Sequence, residues 1–145
     1  MKFGYDYMKV RDIVKSFGPK AKKSAYRNWF RNPECEDEMV MILSEEGGYG
    51  WRNEREFGEK CDEHGWDEIV KINEYNEDAK ETKDRINSEI AHPCKRIVFW
   101  REKRGSASWY KFYGVFSADI EETRETLGSE NPHVVYKKIS DEYGI

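Results

Sequence analysis

The sequence predicts a mixed α+β domain, on three observations. Apolar residues recur at helical spacing near the N-terminus, they alternate or run together over strand-length segments further on, and no linker long enough to divide domains interrupts the 145 residues. We therefore read residues 1–145 as a single domain. It is long enough to bury roughly two-thirds of its unfolded surface. Only 37% of residues are hydrophobic and 37% are charged, but 14% are aromatic. A few large rings can build a core in an otherwise polar chain, so these values predict a small aromatic core under a charged surface.

The elements follow in order. "DYMKVRDIVKSFG" places Val10, Ile13, Val14 and Phe17 on one helical face, with Asp6 as a cap, Gly18 as a stop and Pro19 beyond it. In "PKAKKSAYRNWFRNP", Tyr26, Trp29 and Phe30 stand at i, i+3 and i+4, which predicts a short second helix ended by Pro33. "EMVMILSEEGGYGWRNERE" reads as a hairpin: Met39–Leu43 as one strand, the glycines as the turn, and Trp51 opening the return. Residues 67–75 alternate as a further strand. "NEDAKETKDRINSEIAHP" predicts an exposed helix with a thin apolar stripe of Ala79, Ile86 and Ile90. "EETRETLGSENPH" is a loop or short helix, and "VVYKKISDEY" is a final strand.

The stretch "IVFWREKRGSASWYKFYGVF", residues 97–116, is the richest in rings: Phe99, Trp100, Trp109, Tyr110, Phe112, Tyr113 and Phe116. It predicts two strands about the turn "KRGSAS". Alternation sets Ile97, Phe99 and Arg101 against Val98, Trp100 and Glu102, and Trp109, Lys111, Tyr113 and Val115 against Tyr110, Phe112, Gly114 and Phe116. Both faces are thus largely apolar. Either protein covers both, or one is kept open for a ligand.

Charge narrows the partners. The formal net charge is −4 and the pI is near 5.5, which counts against a dedicated duplex binder with a uniformly basic face. Yet Lys15, Lys20, Lys22, Lys23, Arg27 and Arg31 fall in a stretch with no acid, a run whose ordinary reading is a solvated face. The runs "EYNEDAKE" and "SADIEETRET" concentrate negative charge, which serves solubility or docks a basic protein partner. No stretch has the length of a membrane span, and "MKFGYDYMKV" lacks the apolar run of a signal peptide. Three widely spaced cysteines, Cys35, Cys61 and Cys94, read as reduced thiols of a cytoplasmic protein.

Several constellations compete for function. Trp100, Trp109, Tyr110 and Tyr113 form a candidate stacking platform, with Trp51 and Trp66 as further rings. Stacking a base on such a ring is worth about 1–3 kcal/mol. Arg101, Arg104 and Lys111, with Lys103, are the neighbouring phosphate-neutralising groups. The competing account is that these rings are core. Cys61 and His64, with His92 and Cys94, imitate a four-ligand zinc set, but neither pair matches the usual knuckle spacing. Glu81 and Lys83 with Asp67 imitate a Mg²⁺ nuclease site, but the pair falls in a polar helix rather than on adjacent strands. There is no phosphate-binding glycine loop, nucleophile elbow or zinc-deaminase signature. We therefore expect no catalytic residue, metal or cofactor, and favour a non-enzymatic module that binds a nucleotide or single-stranded nucleic acid. An acidic interaction or inhibitor protein, such as a phage encodes, is the alternative, and a small nuclease the third.

The strand "RIVFWREK", its hairpin partner "WYKFYGVF", the acidic connection after it and the closing "VVYKKIS" together resemble small prokaryotic modules of PUA-like and SRA-like type. "LSEEGGYGWRNERE" is similar to the earlier hairpin of restriction-associated or phage-associated relatives. The resemblance implies a curved, mostly antiparallel sheet or partly open β-barrel with flanking helices. It also implies that such a module binds RNA, or a flipped modified base, in a cleft lined by aromatic rings.

Overall fold

The computed structural model describes residues 1–7, 9–24, 27–104 and 107–144, with the backbone alone at 7, 46, 103, 104, 107 and 108. In chain order the first elements are β1 (Asp6–Tyr7), α1 (Val10–Ser16), β2 (Trp29–Arg31), β3 (Glu38–Leu43), β4 (Glu46–Gly48) and β5 (Trp51–Cys61). They are followed by β6 (Asp67–Asn76), α2 (Ala79–Ala91), β7 (Lys95–Arg104), β8 (Ala107–Ala118), α3 (Ile120–Thr126) and β9 (Val134–Ser140).

The strands join in one sheet in the order β2-β3-β7-β8-β9-β6-β5-β4, and β1 adds against β8. Every pairing is antiparallel except β3 with β7. This is the α+β, curved, mostly antiparallel architecture that the sequence predicts. Among the described residues no ladder joins β4 to β2, so the sheet stays open and does not close into a barrel.

The aromatic hairpin is where the two cores of the protein meet. Val98, Trp100, Tyr113 and Phe116 pack with Met39, Met41, Leu43, Ile69, Ile72 and Tyr136 on one face, under Ile86 of α2. Ile97, Phe99 and Phe112 pack with Val40, Ile42 and Phe30 on the other, under Ile13 of α1 and Phe17 at its C-cap. Both faces of the central strands are covered by protein, which explains the apolar character of both. The continuous run in β3 has the same cause: a strand held between β2 and a parallel β7 is buried on both sides.

One residue breaks the expected alternation. The register of β7 and β8 shifts beyond Val98, which pairs with Gly114 while Phe99 pairs with Phe112. This bulge carries Phe116 across to the face of Tyr113 and Trp100. Gly114 holds φ +126°, and a Cβ there would lie 2.6 Å from the Ser140 carbonyl oxygen. Gly114→Ala is therefore expected to destabilise the fold by about 1–3 kcal/mol, read as a lower urea midpoint.

Four local expectations are corrected. The segment with Trp29 and Phe30 is strand β2, not a helix: the two rings point to opposite cores, and β3 supplies a partner a short turn away. Tyr26 lies outside the described residues. Asp6 belongs to β1, and α1 starts at an N-cap Lys9 that makes no side-chain cap bond. Met39–Leu43 does not pair with the strand opened by Trp51: that strand, β5, folds back on β4 across the turn at Gly48–Gly50. β5 also runs longer than expected and pairs along most of β6.

Candidate nucleic-acid interface

The open edge of the sheet carries two adjoining cavities. The outer one, of about 250 Å³, draws Lys23, Arg27, Asn28, Arg101 and Tyr110 together with the end of β3. Among the described residues, its charged lining groups, Lys23, Arg27 and Arg101, are all cations. Partial burial pushes the Lys23 ammonium below its ordinary pKa. The inner one, of about 180 Å³, lies between β2 and the β4–β5 turn and shares Arg27, Asn28 and Gly47 with the outer one. Its walls are Trp29, Tyr49 and Trp51, and its polar groups include Asn53, Glu74 and Arg85.

Each inner side chain is held by a separate element. The Arg27 guanidinium lies 4.8 Å from the ring centre of Trp29. That of Arg85, on α2, lies 4.5 Å from the ring centre of Trp51 and donates to Glu74 Oε1 at 3.1 Å. The Tyr136 hydroxyl donates to the same oxygen at 3.2 Å, and beside that carboxylate in the core it is driven well above its usual pKa, burial being the larger cause. Asn53 and Glu74 are direct cross-strand partners, which brings both side chains to the same face. Asn53 is 3% exposed. Its amide donates to the Ser44 carbonyl at 3.0 Å, while its Oδ1 is buried with no partner among the described residues. Tyr49 has a positive φ of 53° between two positive-φ glycines, and it is 84% exposed.

A larger cavity of about 420 Å³ lies elsewhere on β5 and β6, lined by Glu54, Asn73, Tyr75, Glu77, Glu130 and His133 among others. Strand alternation turns Glu54 and Asn73 away from the face of Asn53 and Glu74. Three carboxylates make this the wrong cavity for a phosphate backbone, whatever its size.

The structure divides the residues expected from the sequence. Arg101 and Tyr110 meet in the outer cavity and Trp51 lines the inner one. Trp100 and Tyr113 are 1% exposed and belong to the core rather than to a stacking surface. Trp100 lies under Arg55, 4.4 Å away, and the Tyr113 hydroxyl donates to Glu102 at 2.7 Å. Lys111, also 1% exposed, is bound to Asp62 at 2.8 Å instead of facing a ligand. Trp109 is half-buried and lines neither cavity. The Arg104 side chain lies outside the described residues. Asp67 opens β6 and Glu81 lies beyond its far end, roughly 30 Å of strand away, so the two do not assemble one metal site. Among the described residues no group of three or more His, Cys, Asp and Glu side chains gathers to hold a metal.

Sequence reasoning found Lys23 and Arg27 only as part of a charge run. It passed over Asn28, Tyr49, Asn53, Glu74 and Arg85. The acid-free stretch was one usable signal, and the glycine-flanked Tyr49 beside Trp51 was another.

The open, curved, mostly antiparallel sheet with flanking helices has the PUA-like form. Residues 6–145 match the family model for the SRA, or SET and RING associated, domain, and the chain belongs to that family of DNA-binding modules. Among solved structures it is similar to one described as the 5-hydroxymethylcytosine-specific restriction enzyme AbaSI, with a TM-score of 0.68 at 20% identity. The likeness covers 95% of this chain and 39% of that one, so this chain spans well under half the length of that enzyme. No curated protein matches the sequence. No helix among the described residues is long and apolar enough to cross a membrane.

Proposed function

We propose that the chain binds DNA through a modified base turned out of the stack. The base enters the inner pocket against Trp29, Tyr49 and Trp51, and the flanking phosphates lie on Lys23, Arg27 and Arg101 in the outer cleft. The observation that carries this is Asn53 Oδ1. A buried acceptor without a partner costs about 1–3 kcal/mol, and a guest that donates to it recovers that cost. With the Glu74 carboxylate beside it, the recess offers acceptors. It therefore favours a base bearing donors, such as the exocyclic amine of cytosine together with the hydroxyl of a hydroxymethyl group, over thymine, whose O4 only accepts. At about 180 Å³ the recess suits one planar ring and falls below the size of cavities that take drug-like ligands. The similarity to an enzyme described as specific for hydroxymethylated cytosine supports the same guest.

The test is fluorescence polarisation with duplexes that differ at one base: hydroxymethylated cytosine, methylated cytosine, cytosine or thymine. The modified duplex is expected to bind most tightly. Asn53→Ala is expected to cut that preference by about 10- to 100-fold while binding to unmodified duplex stays within a few-fold. Equal affinity for all four duplexes, or equal affinity for a single strand lacking any modified base, overturns the proposal.

A further inference from the structure

We propose that Arg85 is a positioning residue for base selectivity, holding the recognition surface in place from α2. The inference rests on the base-pocket reading above. Arg85 sits mid-helix, and its guanidinium touches two walls of the recess at once, the Trp51 ring and Glu74 Oε1. Both hydrogen bonds to the Glu74 carboxylate, from Arg85 and from Tyr136, fall on Oε1. Among the described residues neither of these two bonds uses Oε2, and on the base-pocket reading that oxygen serves the guest. The Arg85 guanidinium also lies over the Trp51 ring, and on the base-pocket reading it braces that ring against the guest. A planar fork satisfies a carboxylate and an aromatic face together, which a lysine ammonium does not.

The helix that carries Arg85 is itself tied to the pocket mouth. Asn76 precedes α2, and its backbone amide donates to Thr82 Oγ1 at 2.8 Å while its side-chain amide donates to the Tyr49 carbonyl at 3.1 Å. Its Oδ1 accepts from the Asp78 amide, next to the Asp78 side chain that caps the helix. The first turns of α2 thus reach Tyr49, Trp51 and Glu74. The charge of Arg85 is engaged by Glu74 inside the fold, and Arg85 lines the inner recess but not the outer cationic cleft. Its contribution should therefore appear in selectivity and not in the electrostatic pull on the backbone.

The experiment compares wild type, Arg85→Ala, Arg85→Lys and Glu74→Gln on duplexes carrying either one hydroxymethylated or one unmodified cytosine, across a salt series. In Arg85→Ala the affinity ratio between the two duplexes is expected to fall on the order of tenfold, the scale of one charge-assisted hydrogen bond, with the salt slope unchanged. Arg85→Lys keeps a donor for Glu74 but loses the guanidinium over Trp51, so it should recover part of the ratio. Glu74→Gln, which leaves Arg85 in place, should lower the ratio through the same carboxylate. A salt slope that drops by about 0.9, with both duplexes weakened equally, would make Arg85 a phosphate contact and overturn the inference. A ratio unchanged in Arg85→Ala overturns it too, while leaving the base pocket intact. A wild-type ratio of one removes the pocket reading itself, and the role of Arg85 with it.

Discussion

Replacing Lys111 by alanine is expected to cost about 3–5 kcal/mol of stability, because it strands a buried carboxylate. Lys111 Nζ lies 2.8 Å from Asp62 Oδ2, 3.8 Å from Asp6 Oδ1 and 4.5 Å from the ring centre of Trp66. The Asp62 side chain is 1% exposed and also accepts from the His64 and Trp66 amides, at 2.8 and 2.9 Å. The pair thus fastens the β5–β6 connection onto β8. Urea unfolding of Lys111→Ala should show a lower midpoint with an unchanged slope. Lys111→Met with Asp62→Asn should lose less than Lys111→Ala alone, since no unpaired charge remains. Burial raises the Asp62 pKa, but the Lys111 hydrogen bond and the two backbone amides outweigh it and hold the carboxyl below its usual range. A folded-state value below the unfolded one, about 3.9, gives stability that is present above roughly pH 4 and lost as pH falls through the folded value. Without Lys111 only burial and the amides remain, so the deficit of Lys111→Ala should be largest near neutrality and shrink in acid. A deficit that does not change with pH would show that Asp62 is not the group left unpaired.

Lys111 also shows why the site was only partly legible in the sequence. Alternation within a strand is local, so β6, β9 and the β7–β8 hairpin follow from it, and 3.6-residue periodicity gives α1 and α2. Which strand pairs with which is not local. β3 reads as a buried strand, but nothing within Met39–Leu43 says that its partner is a parallel β7 beyond α2. Trp29 and Phe30 fit a helix by spacing and a strand by chemistry, and the neighbouring β3 decides it. The rings of the hairpin look like a surplus when counted along the chain. They are consumed because helices cover both faces of the sheet, which leaves Tyr110 and Arg101 at the edge of one core and Trp100 and Tyr113 inside the other. Asn53 and Glu74 are ordinary polar residues in sequence. Their meaning comes from the β5–β6 register that sets them opposite one another beneath Trp51.

The largest loss of DNA affinity is expected from removing the cations of the outer cleft together, Lys23→Ala, Arg27→Ala and Arg101→Ala. Sharing one cavity, these three carry the phosphate contacts on the proposed reading, although the chain as a whole is acidic at −4. Each phosphate neutralised releases counterions and adds about 0.9 to the slope of log affinity against log salt, so the triple variant should lose about 2.7. Between about 50 and 200 mM salt those contacts account for about a 40-fold change in wild-type affinity that the variant should no longer show. Since phosphates carry no sequence information, modified and unmodified duplexes should weaken alike and the preference set by Asn53 should survive. Polarisation titrations on both duplexes at four salt concentrations measure slope and preference together. If the slope holds while the preference collapses, the three cations read the base and not the backbone, and the division of labour between the two cavities is wrong.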